Sequence, residues 1–196
     1  MTAVTNYYET HLEEEEAVGW TEDELEVVPD NVRYEIEDGI LYVSPSPALW
    51  HQKFELKVAM MLDSQCPEEW TSVPGAEIRI YEDDKVMQAR SPDVMVVPTE
   101  ATTTEADRNW VAPNEMALAL EVVSKSSRSR DRITKAALYA EWGIPLYLRV
   151  EGKPAVALYE YRLDAETGQY RTPVQYTDVF ETDAPFPLRI DLSALR

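Results

Sequence analysis

Residues 116–123 read MALALEVV, a run of eight residues in which Glu121 is the one charged side chain. Near-continuous apolar runs of this length are typical of strands buried on both faces in the centre of a sheet. A carboxylate inside such a strand costs several kcal/mol unless a cation pairs with it or a metal ion binds it. The run therefore predicts a central strand, and it marks Glu121 as a candidate for a paired or metal-bound acid.

A second acid stands at the mouth of another apolar segment. Asp93 follows Pro92 and leads directly into VMVV at residues 94–97. If the two strands are neighbours, the carboxylates of Asp93 and Glu121 meet, repel each other and need a cation between them. A hard divalent ion such as Mg²⁺ is the natural candidate, because a few carboxylates together with water and phosphate oxygens suffice to bind it.

Basic residues follow the central run. A loop rich in serine and arginine leads into a predicted helix at residues 129–142, which a glycine and a proline terminate. Lys135 lies on this helix, where its side chain can reach back toward Glu121 and position a water or stabilise developing negative charge. Tyr139, on the same helix, is expected to contribute to packing.

Each of these residues also has an ordinary interpretation. An aspartate after a proline is frequently a turn residue, and a buried glutamate can simply pair with a basic side chain. Asp131 and Lys135 are four residues apart on one predicted helix, which alone describes an exposed ion pair. The combination of residues, rather than any one of them, favours a functional site.

The rest of the chain contains more strands than helices. Asp38-Gly39 is a strong turn dipeptide and predicts a β-hairpin of residues 32–36 and 40–43. The other predictions are helices at residues 20–26 and 49–62, strands at 70–73, 77–81, 93–97, 146–150, 155–161 and 169–176, and polar loops at 82–91 and 99–115. This order of elements predicts an α/β or α+β fold in one domain, residues 20–196.

The formal net charge is −19, and it is unevenly distributed. Residues 1–40 hold thirteen acids and one base and contribute −12, whereas the remaining 24 acids and 17 bases contribute −7. Runs such as EEEE at residues 13–16 are typical of solvated tails, so residues 1–19 are predicted to be a flexible acidic tail. The acidic balance argues against a protein that coats nucleic acid nonspecifically, but it is compatible with an enzyme that binds nucleic acid locally.

The composition favours a soluble cytoplasmic protein. Cys66 is the single cysteine, which excludes an intrachain disulfide and a zinc site built from cysteines. No apolar run approaches the roughly 20 residues that span a membrane. The N-terminal residues lack the basic start and apolar core of a secretion signal, so we expect neither export nor a membrane partner.

Four motifs, taken in order, resemble one known family. They are SPDVMVV (residues 91–97), LEVVS (120–124), a serine-rich loop, and DRITKAALYAEWGIPLYLRVE (131–151). This order resembles the Uma-type putative restriction endonuclease family, a bacterial branch of the PD-(D/E)XK nuclease superfamily. The resemblance covers about residues 30–196, because the predicted hairpin with its following helix and the closing FPLRIDLSALR are similar to that family as well.

The resemblance implies a restriction-endonuclease-like core, in which helices flank a central mixed β-sheet, with an N-terminal β-hairpin. It implies that Asp93 and Glu121 are catalytic residues that bind Mg²⁺ or Mn²⁺. The motif would place a lysine two residues after Glu121, but Val123 stands there, so Lys135 takes that catalytic role. The implied activity is that of an endodeoxyribonuclease acting on DNA, and a homodimer is expected by analogy with nucleases that cut both strands.

Other positions are candidates for contacts to substrate. His51 matches a histidine common in the family and contacts either nucleic acid or only the start of its helix. Glu55, one turn later, either adds a water-bridged contact to the metal or, as we expect, lies on a solvated helix face. Glu77 faces either solvent or the site. Three loop arginines either bind phosphates or pair with nearby acids: Arg128, Arg130 and Arg132. Three positions depart from the residues usual in the family: Lys125, Leu148 and Glu151.

A noncatalytic nuclease-fold protein that binds a protein partner or nucleic acid is the main alternative, and a plain structural domain, with Glu121 buried against an arginine and no cleft, is a third possibility. The net charge of −19 and the missing motif lysine at Val123 motivate it. The acidic tail would then be an interaction arm, or an internal mimic of DNA that covers the basic loop.

Overall fold

The structure is a computed structural model that describes residues 19–29, 32–44, 46–103, 108–123, 133–152 and 155–195. Three α-helices lie in these residues: α1 (Glu22–Glu26), α2 (Leu49–Asp63) and α3 (Lys135–Glu141). The strands are β1 (Arg33–Glu37), β2 (Ile40–Ser44), β3 (Trp70–Pro74), β4 (Glu77–Glu82), β5 (Lys85–Arg90), β6 (Val94–Pro98), β7 (Trp110–Val111), β8 (Leu118–Val123), β9 (Leu146–Glu151), β10 (Ala157–Asp164), β11 (Gln169–Tyr170), β12 (Val174–Tyr176), β13 (Val179–Thr182) and β14 (Leu188–Asp191). None of the described helices is long and apolar enough to cross a membrane. Residues 1–18 lie outside the described part, so the flexible tail and the single domain of residues 20–196 stay predictions.

The larger sheet contains seven strands in the order β11-β10-β9-β8-β6-β3, with β12 also paired to β10. Strands β8 and β9 run parallel, whereas β8 and β6 run antiparallel, so the central sheet is mixed as predicted. All six residues of β8 are buried, which confirms the central strand expected from MALALEVV. Val94 pairs with Leu120 across β6 and β8, and this register places Asp93, the residue before β6, beside Glu121.

Helices cover both faces of this sheet. Helix α2 packs on one face, where Phe54 and Leu120 belong to the same hydrophobic core. On the other face Tyr139 of α3 packs edge-on against Tyr147 of β9, with the ring centroids 5.3 Å apart. Because successive side chains alternate across a strand, Leu120 faces α2 and Glu121 faces α3. The predicted fold class, a mixed sheet flanked by helices, is confirmed.

A second sheet carries the predicted N-terminal hairpin. Its strand order is β2-β1-β5-β4-β7, and β1 pairs antiparallel with β2 from Arg33↔Ser44 to Glu37↔Ile40. Asp38 and Gly39 connect these strands with φ angles of 49° and 77°. Positive φ at both central residues is the geometry that matches the twist of a hairpin, which is why the Asp-Gly pair predicts this turn correctly.

The prediction of a polar loop at residues 82–91 is wrong. Residues 85–90 form β5, which pairs with β4 around a turn at Asp83 and Asp84. Both aspartates have positive φ, 47° and 64°, a conformation that aspartate tolerates better than most residues. Val86 and Ala89 are buried in the core of this sheet. These small apolar residues, set among charged and polar ones, do not give the strict alternation that identifies a strand from sequence.

Two other boundaries also differ from the prediction. Residues 169–176 form two short strands, β11 and β12, instead of one. The break falls at residues 171–173, where Pro173 has no backbone N–H to donate to a strand partner. The segment at residues 99–115, predicted to be a loop, contains β7 and two 3₁₀ turns, Thr99–Thr102 and Pro113–Glu115.

Shortening one core side chain tests the placement of β8 between two helix-covered faces. Leu120 is fully buried, so Leu120→Ala leaves a cavity and is expected to lower the free energy of unfolding by about 2–5 kcal/mol. The control Val174→Ala removes apolar atoms from a side chain that is 51% exposed and is expected to change stability little. Urea unfolding measures both variants, and equal stabilities would contradict the buried position of β8.

Candidate active site

Asp93 is a buried acid held by the backbone of the neighbouring strand. Its Oδ2 atom accepts a hydrogen bond of 2.6 Å from the backbone N–H of Val122 on β8. Val122 immediately follows Glu121 in the chain. One short segment of β8 therefore presents the side chain of Glu121 and also holds Asp93 through its backbone N–H. The two acids that the sequence singles out are therefore connected through a short length of β8.

His51, near the start of α2, reaches the same segment from the other side. Its Nε2 atom lies 2.7 Å from the carbonyl oxygen of Val122 and 3.4 Å from Oδ2 of Asp93. The side chain is buried, and among the described residues its Nδ1 atom has no hydrogen-bond partner. His51 thus contacts both Val122 and Asp93, and its role in binding nucleic acid stays a prediction.

Glu55 lies one helical turn after His51 and joins this group. Glu55 Oε2 is 3.8 Å from Nδ1 of His51, and ligand atoms of His51, Glu55 and Asp93 all lie within 4.8 Å of one another. Because residues four apart share one face of a helix, α2 presents the imidazole and the carboxylate together. The expectation that Glu55 occupies a solvated face is wrong, since its side chain is only 14% exposed.

The group carries an excess of negative charge. Burial raises the pKa of the Glu55 carboxyl, and the charge of Asp93 raises it further, against the opposing effects of Arg33 and His51. Burial alone would lower the pKa of His51, but the hydrogen bond and charge of Asp93 outweigh it and the pKa is raised. Both shifts favour the protonated forms of Glu55 and His51.

Glu121 is neutralised by Lys135, as the sequence suggested. Lys135 Nζ lies 2.7 Å from Oε1 of Glu121, and both side chains are almost completely buried. The Tyr139 hydroxyl donates a second hydrogen bond of 2.9 Å to the same oxygen. Burial and the charge of Glu121 raise the pKa of Tyr139 well above its ordinary value, so the phenol remains a neutral donor. Tyr139 therefore orients Glu121 in addition to its expected packing role.

Glu35 is a neighbour of this pair that the sequence analysis did not identify. Its Oε1 atom lies 3.3 Å from Nζ of Lys135, and its side chain is largely buried. Glu35 belongs to β1 in the hairpin sheet, whereas Glu121 belongs to the central sheet. No local feature of the sequence distinguishes it from Glu37, two residues later on the same strand, because the difference arises from how the two sheets pack.

The other positions that the sequence singles out either lie outside the described residues or pair with arginines. Arg128, Arg130 and Arg132 lie outside the described residues, so their phosphate-binding role stays a prediction. Glu77 is paired with Arg79 at 2.7 Å, and Glu151 contacts Arg149 at 3.4 Å. Among the described residues, Glu121 is not part of the three-residue group that could hold a metal ion, so its role as a ligand also stays a prediction.

A mixed sheet flanked by helices, with buried acids at adjoining strands and a lysine that reaches them from α3, is the arrangement of a nuclease-like fold. Residues 22–194 match the model of the Uma2 family, which is described as "Putative restriction endonuclease", and the chain belongs to this family. The structure is similar to the crystal structure of a "putative nuclease belonging to DUF820" from Anabaena variabilis, with a TM-score of 0.63. That alignment covers 88% of this chain and 95% of the other at 15% identity, which shows a shared fold. A comparison with curated protein sequences finds no match.

Removing one hydroxyl tests the hydrogen bond between Tyr139 and Glu121. Tyr139→Phe leaves the ring packing in place but removes a donor to a buried carboxylate, so we expect a loss of about 1.5–3 kcal/mol in the free energy of unfolding. Tyr42→Phe is the matched control, because Tyr42 is exposed. Thermal and urea unfolding of both variants provide the measurement, and identical stabilities would show that the hydroxyl contributes nothing to Glu121.

Proposed function

We propose that this protein is a divalent-metal-dependent nuclease that hydrolyses phosphodiester bonds, with DNA as its substrate. Membership of the restriction endonuclease family and the nuclease-like fold support a nuclease function in general. One observation supports metal dependence. Ligand atoms of His51, Glu55 and Asp93 lie within 4.8 Å of one another, beside the buried pair of Glu121 and Lys135.

The donor atoms of this group fit a divalent ion. Two carboxylates and one imidazole are present, and the buried Nδ1 atom of His51 is without a hydrogen-bond partner in the described part of the chain. Asp93 would be the central ligand, with Glu55 and His51 from α2 and Glu121 from the adjacent strand as further ligands. Mg²⁺ or Mn²⁺ is the proposed ion, since carboxylates suit both and the imidazole is compatible with a transition metal.

Each residue then has a defined task in hydrolysis. A bound ion would lower the pKa of a coordinated water and polarise the scissile phosphate. Asp93 is held in place by the N–H of Val122, and His51 by the carbonyl of the same residue, so the ligands are oriented before any ion binds. Lys135 would supply a positive charge beside the attacking water or the charge that develops on the phosphate.

The proposal also includes cleavage within DNA strands, a cytoplasmic location and a homodimer. The family description supports endonuclease activity, and the dimer follows only by analogy with enzymes that cut both strands. The net charge of −19 favours the second candidate, a noncatalytic protein of the same fold that binds a partner or nucleic acid. The two candidates differ in whether purified protein cleaves DNA at all.

Plasmid cleavage in the presence of Mn²⁺ or Mg²⁺ tests the activity. The wild-type protein is expected to nick or linearise supercoiled DNA, and Asp93→Asn is expected to lose this activity because one ligand charge is removed while the side chain keeps its size. Glu68→Gln, which removes an exposed acid, should cleave like the wild type. Equal cleavage by wild type and Asp93→Asn would overturn the proposed site, and no cleavage by any of them would favour the noncatalytic candidate.

Calorimetric titration with Mn²⁺ tests the ligands without reference to activity. We expect one site per chain in the wild type, and a loss of about tenfold or more in affinity for Glu55→Gln, as is typical when residues around a metal are replaced. Glu68→Gln again serves as the control and should bind like the wild type. Unchanged affinity in Glu55→Gln would remove Glu55 from the ligand set, and absence of binding by the wild type would contradict the metal site.

A further inference from the structure

Lys135 contacts carboxylates that belong to two different sheets. Its Nζ atom is 2.7 Å from Oε1 of Glu121 on β8 and 3.3 Å from Oε1 of Glu35 on β1. The ammonium, Glu121 and Glu35 are all largely buried. The lysine therefore lies at a junction between the hairpin sheet and the central sheet.

We propose that Glu35 is a positioning residue that holds the Lys135 ammonium beside the site, an inference that rests on the proposed function for the catalytic role of Lys135. An ammonium has three N–H donors, so it can donate to both carboxylates at once. Ion pairs to two sheets then restrain the long and flexible side chain of this lysine.

The second attachment matters because Glu121 has two possible partners. A divalent ion at Asp93 would compete with Lys135 for the carboxylate of Glu121, since both are cations. Without Glu35, a lysine released by Glu121 would keep neither of these two ion pairs. With Glu35 in place, the ammonium stays beside Glu121 whether or not that carboxylate turns toward an ion.

The backbone around Glu35 is suited to this task. The adjacent Ile36 is fully buried and pairs with Ala89 of β5, and β1 is paired along its length with β2. A strand held on both sides presents its side chain more precisely than a loop does. The hairpin that precedes the central sheet thus contributes a residue to the site.

Glu37 is a matched control on the same strand. Residues 35 and 37 project from the same face, because side chains alternate along a strand. Glu37, however, is 53% exposed at its side chain and pairs with Arg90 at 3.2 Å. Replacing either glutamate with glutamine removes one negative charge from β1, but only Glu35→Gln removes a contact to Lys135.

The primary test of the contact between Glu35 and Lys135 is hydrogen exchange of the lysine NH₃⁺ groups. The exchange is followed by ¹⁵N-edited NMR on the full chain without metal. The Lys135 signal is assigned as the one that disappears in Lys135→Met. We expect slow exchange in the wild type, exchange about tenfold faster in Glu35→Gln, because one buried ion pair of the ammonium is lost, and no change in Glu37→Gln. The shorter Glu35→Asp should show faster exchange than the wild type and provides a second variant.

Equal exchange rates for Lys135 in the wild type, Glu35→Gln and Glu35→Asp would overturn the proposal. The proposal would also be overturned if the Lys135 signal of the wild type exchanged too rapidly to be observed. An ammonium held by two buried carboxylates must be protected from exchange with solvent.

Plasmid cleavage with Mn²⁺ separates this inference from the proposed function. Glu35→Gln should lower kcat with little change in KM, since the contact acts on the lysine rather than on substrate binding, and Glu35→Asp should restore part of kcat. If the exchange result holds but the wild type cleaves nothing, the proposed nuclease function fails and Glu35 remains a positioning residue for Lys135. If the wild type cleaves but kcat is unchanged in Glu35→Gln, the positioning role in catalysis is wrong.

Discussion

The burial of the Glu121 carboxylate in the central strand is the constraint on which the site depends. All six residues of β8 are buried, so an unpaired charge there would cost several kcal/mol. Lys135 and Tyr139 both donate to one oxygen of this carboxylate, from positions one turn apart on α3. The ion pair thereby connects α3 to the sheet. It brings a lysine from the helix to Glu121, whereas the strand itself has Val123 where the motif has its lysine.

The peptide that follows Glu121 joins this pair to a second cluster. The N–H of Val122 donates to Asp93, and the carbonyl of Val122 lies 2.7 Å from Nε2 of His51. One strand therefore organises both halves of the site, because its side chain holds the lysine and its backbone holds the acid and the histidine. Burial and then the charge of Asp93 raise the pKa of Glu55, and a divalent cation would neutralise the carboxylates of this cluster.

Sequence reasoning succeeds where one residue contradicts its surroundings. Glu121 is a charged residue in an apolar run, and its run is the buried strand β8 as predicted. The Asp38-Gly39 pair interrupts two strand-like segments, and it forms the predicted hairpin turn. It fails where polar residues have ordinary neighbours: Glu35 and Glu55 look like solvated positions of a strand and a helix. Their burial arises from packing between distant segments, and neither the period of a helix nor that of a strand contains this information. The turn at Asp83 and Asp84 is missed for a related reason, because apolar and polar residues alternate too weakly in β5, the strand that follows it.

A crystal grown from this protein and soaked in Mn²⁺ would show whether an ion binds at Asp93. Anomalous scattering locates the ion without any assumption about activity. The account predicts one strong peak within coordination distance of Asp93, with His51 and Glu55 as neighbours and Lys135 still beside Glu121 and Glu35. A peak elsewhere, or an Asp93 carboxylate that binds no ion at saturating Mn²⁺, would contradict it.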